Sequence, residues 1–149
     1  MKRVLAAIDV SPCAPVVLAS ARSIADLFEA TVVALHVREN GADAARRAAV
    51  DAGVELREAT GSPIEAITAA AEDPDVVAVV LGARGHHGGP RPAGRTALEV
   101  ITRVNKPIVV VPPGGAPRPS ITRVLTPLEG SEESSQRSEE RRVGKECRL

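Results

Sequence analysis

Short apolar runs recur along the first 113 residues, and polar or turn-forming residues separate them. The run Val76–Leu81 is continuously apolar, which is typical of a strand covered on both faces. Another run alternates apolar and charged residues, as a strand near a sheet edge does. Five strands are predicted, with these bounds: Val4–Ile8, Thr31–Val37, Val54–Glu58, Val76–Leu81 and Ile108–Val111.

The segments between these runs have helical character. The first places apolar residues at steps of four, three and four, and the second, Ala42–Ala52, is rich in Ala and Arg with little apolar face. Ser62, Pro63 and Glu65 predict a capped start for the third helix. Apolar stripes are predicted on the first, third and fourth helices: Val17, Ala21, Ile24 and Phe28; Ile64, Ile67 and Ala71; Ala97, Leu98, Ile101 and Val104.

Strict alternation of strands and helices predicts an α/β fold with a parallel five-stranded sheet and right-handed crossovers. The composition agrees, because Phe28 is the only aromatic residue and Ala and Val dominate the apolar content. Small branched side chains suit a sheet that is covered by helices.

Charge and apolar content exclude several classes of protein. The net charge is zero, and no apolar run approaches the ~18–20 residues that span a bilayer. The N-terminus lacks the features of a signal peptide, so we expect a cytoplasmic protein with no membrane partner. Cys13 and Cys147 lie in dissimilar segments and make a poor disulfide or metal site.

A glycine-rich loop, Gly82–Gly94, follows the fourth strand. Glycines let backbone N–H groups approach an anion, and the next helix adds the dipole of its N-terminus. The loop also contains a near-match to the Walker pattern, but arginine stands in place of its lysine and two prolines remove donors. We therefore reject a Walker loop.

Several motifs, in order and at suitable intervals over Met1 to about Pro113, together resemble the universal stress protein family. They are the strand ending in Asp9, Leu35-His36-Val37, the Gly-x-Pro opening of the third helix, Gly82-Ala83-Arg84-Gly85, and Asn105-Lys106-Pro107 with the strand that follows. The resemblance implies an open sheet of order 3-2-1-4-5 with helices on both faces. Ligands of such sheets bind at the crevice between strands one and four.

The resemblance also implies an ATP site, with Mg²⁺ assisting. Its phosphate loop corresponds to Gly82, Gly85 and Gly94, although the spacer before Gly94 has eight residues where the family has nine. Arg95 stands where the family has a small hydroxyl residue. Thr96 follows it and can cap the helix or reach a phosphate.

Arg84 and Arg95 are the cationic candidates for binding the phosphates. The family pattern assigns Asp9 and Val37 to the adenine end, with Val10 replacing the glycine common after this aspartate. The alternative role for Asp9 is to cap a turn or helix.

Other polar residues favour simpler interpretations. His36 is expected to be packed or hydrogen-bonded, His86 and His87 to be solvated, and Cys13 to be a small buried residue. No nucleophile–base pair, paired carboxylates or metal cluster emerges. We therefore expect no enzyme beyond slow, incidental ATP hydrolysis, although Asp9, Arg84, His86 and Arg95 would be the candidates for one.

Two functional hypotheses follow from the resemblance. In the first, ATP occupancy of a stress-response module changes its association with partners. In the second, the altered loop has lost phosphate binding and the domain only dimerises. A homodimer through the edge strand 108–111 is expected in either case, because an exposed edge leaves backbone groups unpaired.

The C-terminal region contains a partial repeat. Residues 122–131 repeat the layout of residues 2–11, with Arg, Val, Leu and the final Ser identical. We therefore predict a domain over 1–113, a linker over 114–120 and the truncated start of a second domain over 121–136.

Residues 137–149 resemble the translation of a sequencing-library adapter, and we expect them not to be natural protein. Without them the chain has 14 basic and 16 acidic residues, a net charge of minus two, because they hold five of the 19 basic and three of the 19 acidic residues. Their basic character therefore does not indicate a nucleic-acid partner.

Overall fold

Five strands alternate with four helices in the computed structural model, which describes residues 1–38, 42–85, 93–116, 120, 121 and 123. This order is the one predicted from the sequence, and most boundaries agree to within one or two residues. The elements are β1 (Arg3–Ile8), α1 (Ala14–Phe28), β2 (Thr31–Val37), α2 (Ala42–Asp51), β3 (Glu55–Ala59), α3 (Pro63–Ala71), β4 (Val76–Gly82), α4 (Arg95–Arg103) and β5 (Ile108–Val111).

All five strands join one parallel sheet in the order β3-β2-β1-β4-β5, which confirms the predicted fold. β1 lies at its centre, where Ala6 is opposite Ala34 of β2 and Val80 of β4. The alternating run after α2 is indeed an edge strand, and β5 forms the other edge. The strand order reverses between β1 and β4, so α1 and α4 leave the sheet in opposite directions.

Each face of the sheet has its own apolar core. Successive residues of a strand point to opposite faces, so Val4 and Ala6 of β1 pack with α1 and α2, whereas Leu5 packs with α3 and α4. Small side chains in the central strands let the helices pack close to the sheet. The predicted stripe of α1 is confirmed, since Val17, Ala21 and Ile24 are buried and Phe28 packs against that core.

The apolar stripe predicted for α4 is wrong in two positions. Leu98 and Ile101 are 48% and 44% exposed, whereas Val100 is fully buried together with Ala97. The side of α4 that is turned to the sheet contains Ala97 and Val100, and the half-buried Val104 follows at the end of the helix. The apolar spacing alone did not distinguish this face from the neighbouring one.

The predicted capping box of α3 is also not formed. Ser62 takes the N-cap position, with Pro63 in the first turn, but its side chain makes no capping hydrogen bond. Ser62 is exposed, so water can satisfy the free N–H groups at this end of the helix.

A polar cluster surrounds the amino end of β4. Arg3 pairs with Asp73 at 3.3 Å and with Asp75 at 2.9 Å, and the N-terminal amine lies 3.1 Å from Asp75. Lys106 Nζ donates to the carbonyl groups of Asp73 and Val76. These contacts tie together three segments that are distant in the sequence.

The pKa of the Asp75 carboxyl is lowered, first by the hydrogen bond from the N-terminal amine and then by the positive charges of that amine and of Arg3. A carboxyl whose pKa is lower in the folded state contributes stability above its unfolded value. That contribution disappears as the pH falls through the folded pKa. It is small, because Asp75 is exposed to screening by solvent.

The predicted linker 114–120 lies partly outside the described residues. The predicted start of a second domain, 121–136, lies outside them except for Ile121 and Arg123, and residues 137–149 lie outside them entirely. Within the part of the chain that the structure describes, no helix is long and apolar enough to span a membrane.

Leu18 offers a test of the core, because its side chain is 1% exposed beneath α1, while Leu27 on the same helix is 48% exposed. We expect Leu18→Ala to lower the free energy of unfolding by about 2–5 kcal/mol. Leu27→Ala should cost less than about 1 kcal/mol. Urea unfolding followed by circular dichroism measures both, since the chain has no Trp or Tyr. Equal losses in the two variants would contradict this assignment of the core.

Candidate functional site

A cleft of about 610 Å³ opens at the carboxyl ends of the central strands, where the strand order reverses between β1 and β4. Helices leave the sheet to opposite faces at this point, so neither covers the gap, and open α/β sheets bind ligands there. The volume falls within the range of small-molecule sites, roughly 300–1,000 Å³.

All eight residues that the sequence proposed for the site line this one cleft. They come from the ends of β1, β2 and β4, from the glycine loop and from the start of α4: Asp9, Val37, Gly82, Arg84, Gly85, Gly94, Arg95 and Thr96. The middle of the loop, including His86, His87, Pro90 and Pro92, lies outside the described residues.

Asp9 shapes a turn, which was the alternative role considered for it, and it also lines the cleft. Its Oδ1 accepts a hydrogen bond from the backbone N–H of Ser11 at 3.0 Å, and Ser11 Oγ accepts one from the N–H of Cys13 at 3.3 Å. These two bonds build the turn from β1 into α1. The carboxylate is thereby fixed at the mouth of the cleft.

Ala83 ties the first half of the glycine loop to β5 and to the start of α4. Ala83 donates its N–H to the carbonyl of Val111 in β5, and the carbonyl of Ala83 accepts the N–H of Gly94, each at 2.7 Å. Gly85 lies so close to Asp9 that a Cβ at this position would meet Asp9 Oδ2 at 3.1 Å. The loop and the β1 turn therefore form adjoining walls.

Two candidate residues, Arg95 and Thr96, lie in different surroundings at the start of α4. Gly94 is the N-cap, and Thr96 is already inside the helix, so the predicted capping role of Thr96 is wrong. Arg95 is 86% exposed, and its Nε lies 3.5 Å from Glu99 Oε1. The hydroxyl of Thr96 has no hydrogen-bond partner among the described residues.

Positive charge exceeds negative charge in the lining of the cleft. Its described charged residues are Arg84 and Arg95 against Asp9, which leaves a net charge of one positive. Arg84 makes no ion pair within the described ranges, and its buried Nε has no hydrogen-bond partner there. This balance favours an anionic ligand.

His36 and Cys13 also line the cleft, and the sequence did not propose either. His36 is 3% exposed, and its Nδ1 lies 3.1 Å from the carbonyl oxygen of Ile8, as expected for a packed, hydrogen-bonded residue. A carbonyl only accepts, so Nδ1 donates this hydrogen bond, and the buried Nε2 has no partner among the described residues.

Cys13 is half-buried at the N-cap of α1, so the expectation of a buried residue is wrong. The turn set by Asp9 and Ser11 holds it at the opening. In the sequence, the only signal that Cys13 lies at the start of a helix was the proline in the first turn of α1.

The remaining lining is apolar. It comes from strand ends and from the helices on both faces of the sheet, and it includes Ala7, Leu35, Val37, Ile67, Leu81 and Ala97. Apolar walls combined with a few polar groups and backbone N–H groups suit a ligand with a flat ring and an anionic end. Among the described residues, no group of three His, Cys, Asp or Glu side chains could hold a metal ion.

These features define an open, doubly wound α/β domain with a cleft at its switch point. The model of the universal stress protein family matches residues 38–112, half of the chain. No functionally curated protein matches the chain significantly in sequence. The chain belongs to the universal stress protein family.

Solved structures of family members from Archaeoglobus fulgidus share the fold. One universal stress protein is 26% identical with a TM-score of 0.57, over 74% of this chain and 98% of that chain. A second was solved in complex with dAMP and is 25% identical with a TM-score of 0.54, over 74% and 97% of the two chains. A third is 28% identical with a TM-score of 0.57, and 74% of this chain covers only 44% of it.

The contact between Gly85 and Asp9 can be tested directly. We expect the added Cβ of Gly85→Ala to push Asp9 Oδ2 away by a few tenths of an ångström, because 3.1 Å is too short for that pair. At Gly94 the same change meets its nearest atom at an ordinary 3.6 Å, so Gly94→Ala should leave Asp9 in place. Crystal structures of the two variants measure both positions. An unmoved Asp9 in Gly85→Ala would contradict the contact.

Proposed function

We propose that this domain is a cytoplasmic stress-response module that binds ATP in the cleft between the ends of β1 and β4. The observation that carries the proposal is the convergence of a fixed glycine turn, the N-terminus of α4 and two guanidinium groups on one apolar cleft. A related structure in complex with dAMP supports an adenine nucleotide as the class of ligand.

The walls of the cleft suit the two ends of a nucleotide. Leu35, Val37 and Ile67 offer apolar surface to a base, while Gly82–Gly85 and Gly94–Thr96 present backbone and cationic groups to phosphates. Mg²⁺ commonly binds through substrate phosphates and keeps several waters. The proposed ion therefore needs no cluster of protein ligands.

Regulation is the proposed role, with any hydrolysis slow and incidental. Asp9 is the one described carboxylate that lines the cleft, and its Oδ1 already accepts the N–H of Ser11. ATP occupancy is proposed instead to change how the domain associates with partners.

The proposed ATP site predicts that the full chain binds Mg-ATP with a dissociation constant below about 1 mM. A dissociation constant of that size corresponds to a binding free energy of about −4 kcal/mol. Gly85→Val should weaken binding at least about tenfold, because its side chain displaces Asp9 and fills the cleft. Ala69→Val, which adds bulk at an exposed position of α3, should leave affinity unchanged. Isothermal titration calorimetry provides the measurement, and absence of heat from folded wild-type protein at millimolar Mg-ATP would reject the site.

A specific observation supports the proposed homodimer, which is expected whether or not the cleft binds a nucleotide. β5 is an edge strand whose outer side has no partner strand among the described residues, and Ile108, Val109 and Val110 are only half-buried. Leu98 and Ile101 expose apolar surface on α4, the helix that leads into this strand. Pairing with a second copy through residues 108–111 would satisfy the free backbone groups of the edge.

Dimerisation predicts that light scattering of the full chain gives a mass that rises with concentration toward that of two chains. Val110→Lys should shift the mass toward the monomer, since a charge on an edge strand opposes pairing. Val50→Lys is the matched control, because Val50 is 71% exposed on α2. A monomer at all concentrations would refute the dimer.

The chain is further proposed to carry the first of two tandem domains. The layout of residues 2–11 recurs at 122–131, and this chain aligns with less than half of one longer family member. Residues 137–149 are proposed to be adapter-derived, on the basis of their sequence alone.

A further inference from the structure

Cys13 presents a thiol to the cleft from a fixed position. It is half-buried, lines the cleft and occupies the N-cap of α1. Its backbone is held on both sides, because its N–H donates to Ser11 Oγ at 3.3 Å and its carbonyl accepts the N–H of Val17 at 3.0 Å. Its side chain makes no capping hydrogen bond, so the sulfur remains available to a molecule in the cleft.

His36 supplies a second polar group on the same side of the cleft. It lies opposite Ile8 in the sheet, and Ile8 packs into the core beneath α1, so the imidazole is on the face of the sheet that α1 covers. It is 3% exposed and lines the cleft, yet its Nε2 has no partner among the described residues. Buried polar atoms are paired as a rule. The unpaired nitrogen therefore indicates that this wall receives a polar group from a bound molecule.

The charge of the cleft indicates which molecules reach the thiol. Arg84 and Arg95 outnumber Asp9 among the described charged residues of the lining, and Arg84 Nε has no hydrogen-bond partner there. Reactive cysteines lie in partly exposed, electropositive surroundings of this kind, and positive clefts concentrate small anions. Small anionic reagents are therefore expected to reach this thiol most readily.

We propose that Cys13 is a modification site that forms mixed disulfides with small disulfides carrying negative charge. The thiolate of Cys13 attacks one sulfur of the reagent, and the S–S bond of the reagent breaks as the new S–S bond to Cys13 forms. The other half of the reagent leaves as a thiolate and takes up a proton equivalent to the one that Cys13 lost. The reagent is thus the oxidant, and one molecule of its thiol is produced.

The group attached to Cys13 occupies the cleft, so modification and ligand binding exclude each other. This second part of the inference rests on the proposed function and adds a form of regulation to it. Oxidation closes the nucleotide site, and reduction of the mixed disulfide opens it again. The modification site itself does not depend on the identity of the ligand.

The rate of disulfide exchange tests the site in the full chain with Cys147→Ser, which leaves Cys13 as the one thiol. Anionic dithiobis(nitrobenzoate) and uncharged dithiodipyridine are the probes. Absorbance follows the released aromatic thiol, and mass spectrometry of peptides locates the mixed disulfide. Relative to mercaptoethanol, Cys13 should favour the anionic probe at least about fivefold at low salt, and this preference should shrink at about 1 M salt.

Two variants show whether the cleft causes the preference. Val50 is 71% exposed on α2, so Val50→Cys in a chain with Cys13→Ser and Cys147→Ser places a thiol outside the cleft. This thiol should favour the anionic probe less than about twofold, whereas Arg84→Gln should lower the preference of Cys13 at least about twofold. Circular dichroism verifies that each variant is folded. Absence of a mixed disulfide at Cys13, an equal preference at position 50, or no effect of Arg84→Gln would overturn the modification site.

Calorimetry with Mg-ATP tests whether modification closes the cleft. The mixed disulfide should weaken binding at least about tenfold, and dithiothreitol should restore it. The chain with Cys13→Ser and Cys147→Ser should bind Mg-ATP equally before and after exposure to the probe. Unchanged affinity of the modified protein would overturn the closure. Unmodified protein that binds no Mg-ATP would instead reject the proposed function, while the exchange rates decide the modification site on their own.

Discussion

The parallel pairing of β1 with β4 is the constraint on which the rest of this molecule depends. It joins strands about 70 residues apart in the sequence, with Leu5 opposite Val79 and Ala7 opposite Leu81. Because β1 pairs with β2 on its other side, the chain must wind outward in both directions from the centre. The reversal leaves a gap between α1 and α4, and the cleft occupies that gap.

Much of this arrangement is encoded locally and could be predicted. A strand buried on both faces needs continuous apolar sequence, as in Val76–Leu81, and an edge strand tolerates the charges of Glu55 and Arg57. The helices of α/β units fill the intervals between strands. The fold and the location of the cleft follow from these patterns and from the family resemblance.

Details that depend on helix phase or on solvent were not predictable in the same way. Leu98 and Val100 have similar hydrophobicity, and the rotation of α4 about its axis, which the apolar spacing does not fix, decides which one faces the sheet. Ser62 has the right residue type for a cap, but exposure lets water compete for the same N–H groups. Cys13 is half-buried at the cleft because the turn built by Asp9 and Ser11 holds it there.

The narrow approach of Gly85 to Asp9 has a consequence for how this domain can vary during evolution. A side chain at position 85 requires the carboxylate at position 9 to withdraw, and that carboxylate also shapes the entry into α1. The two positions are therefore not free to drift independently. A lineage that replaces the glycine is expected to replace the aspartate by a smaller residue as well. Such a pair of substitutions, rather than either one alone, would mark descendants in which this cleft has acquired a different use.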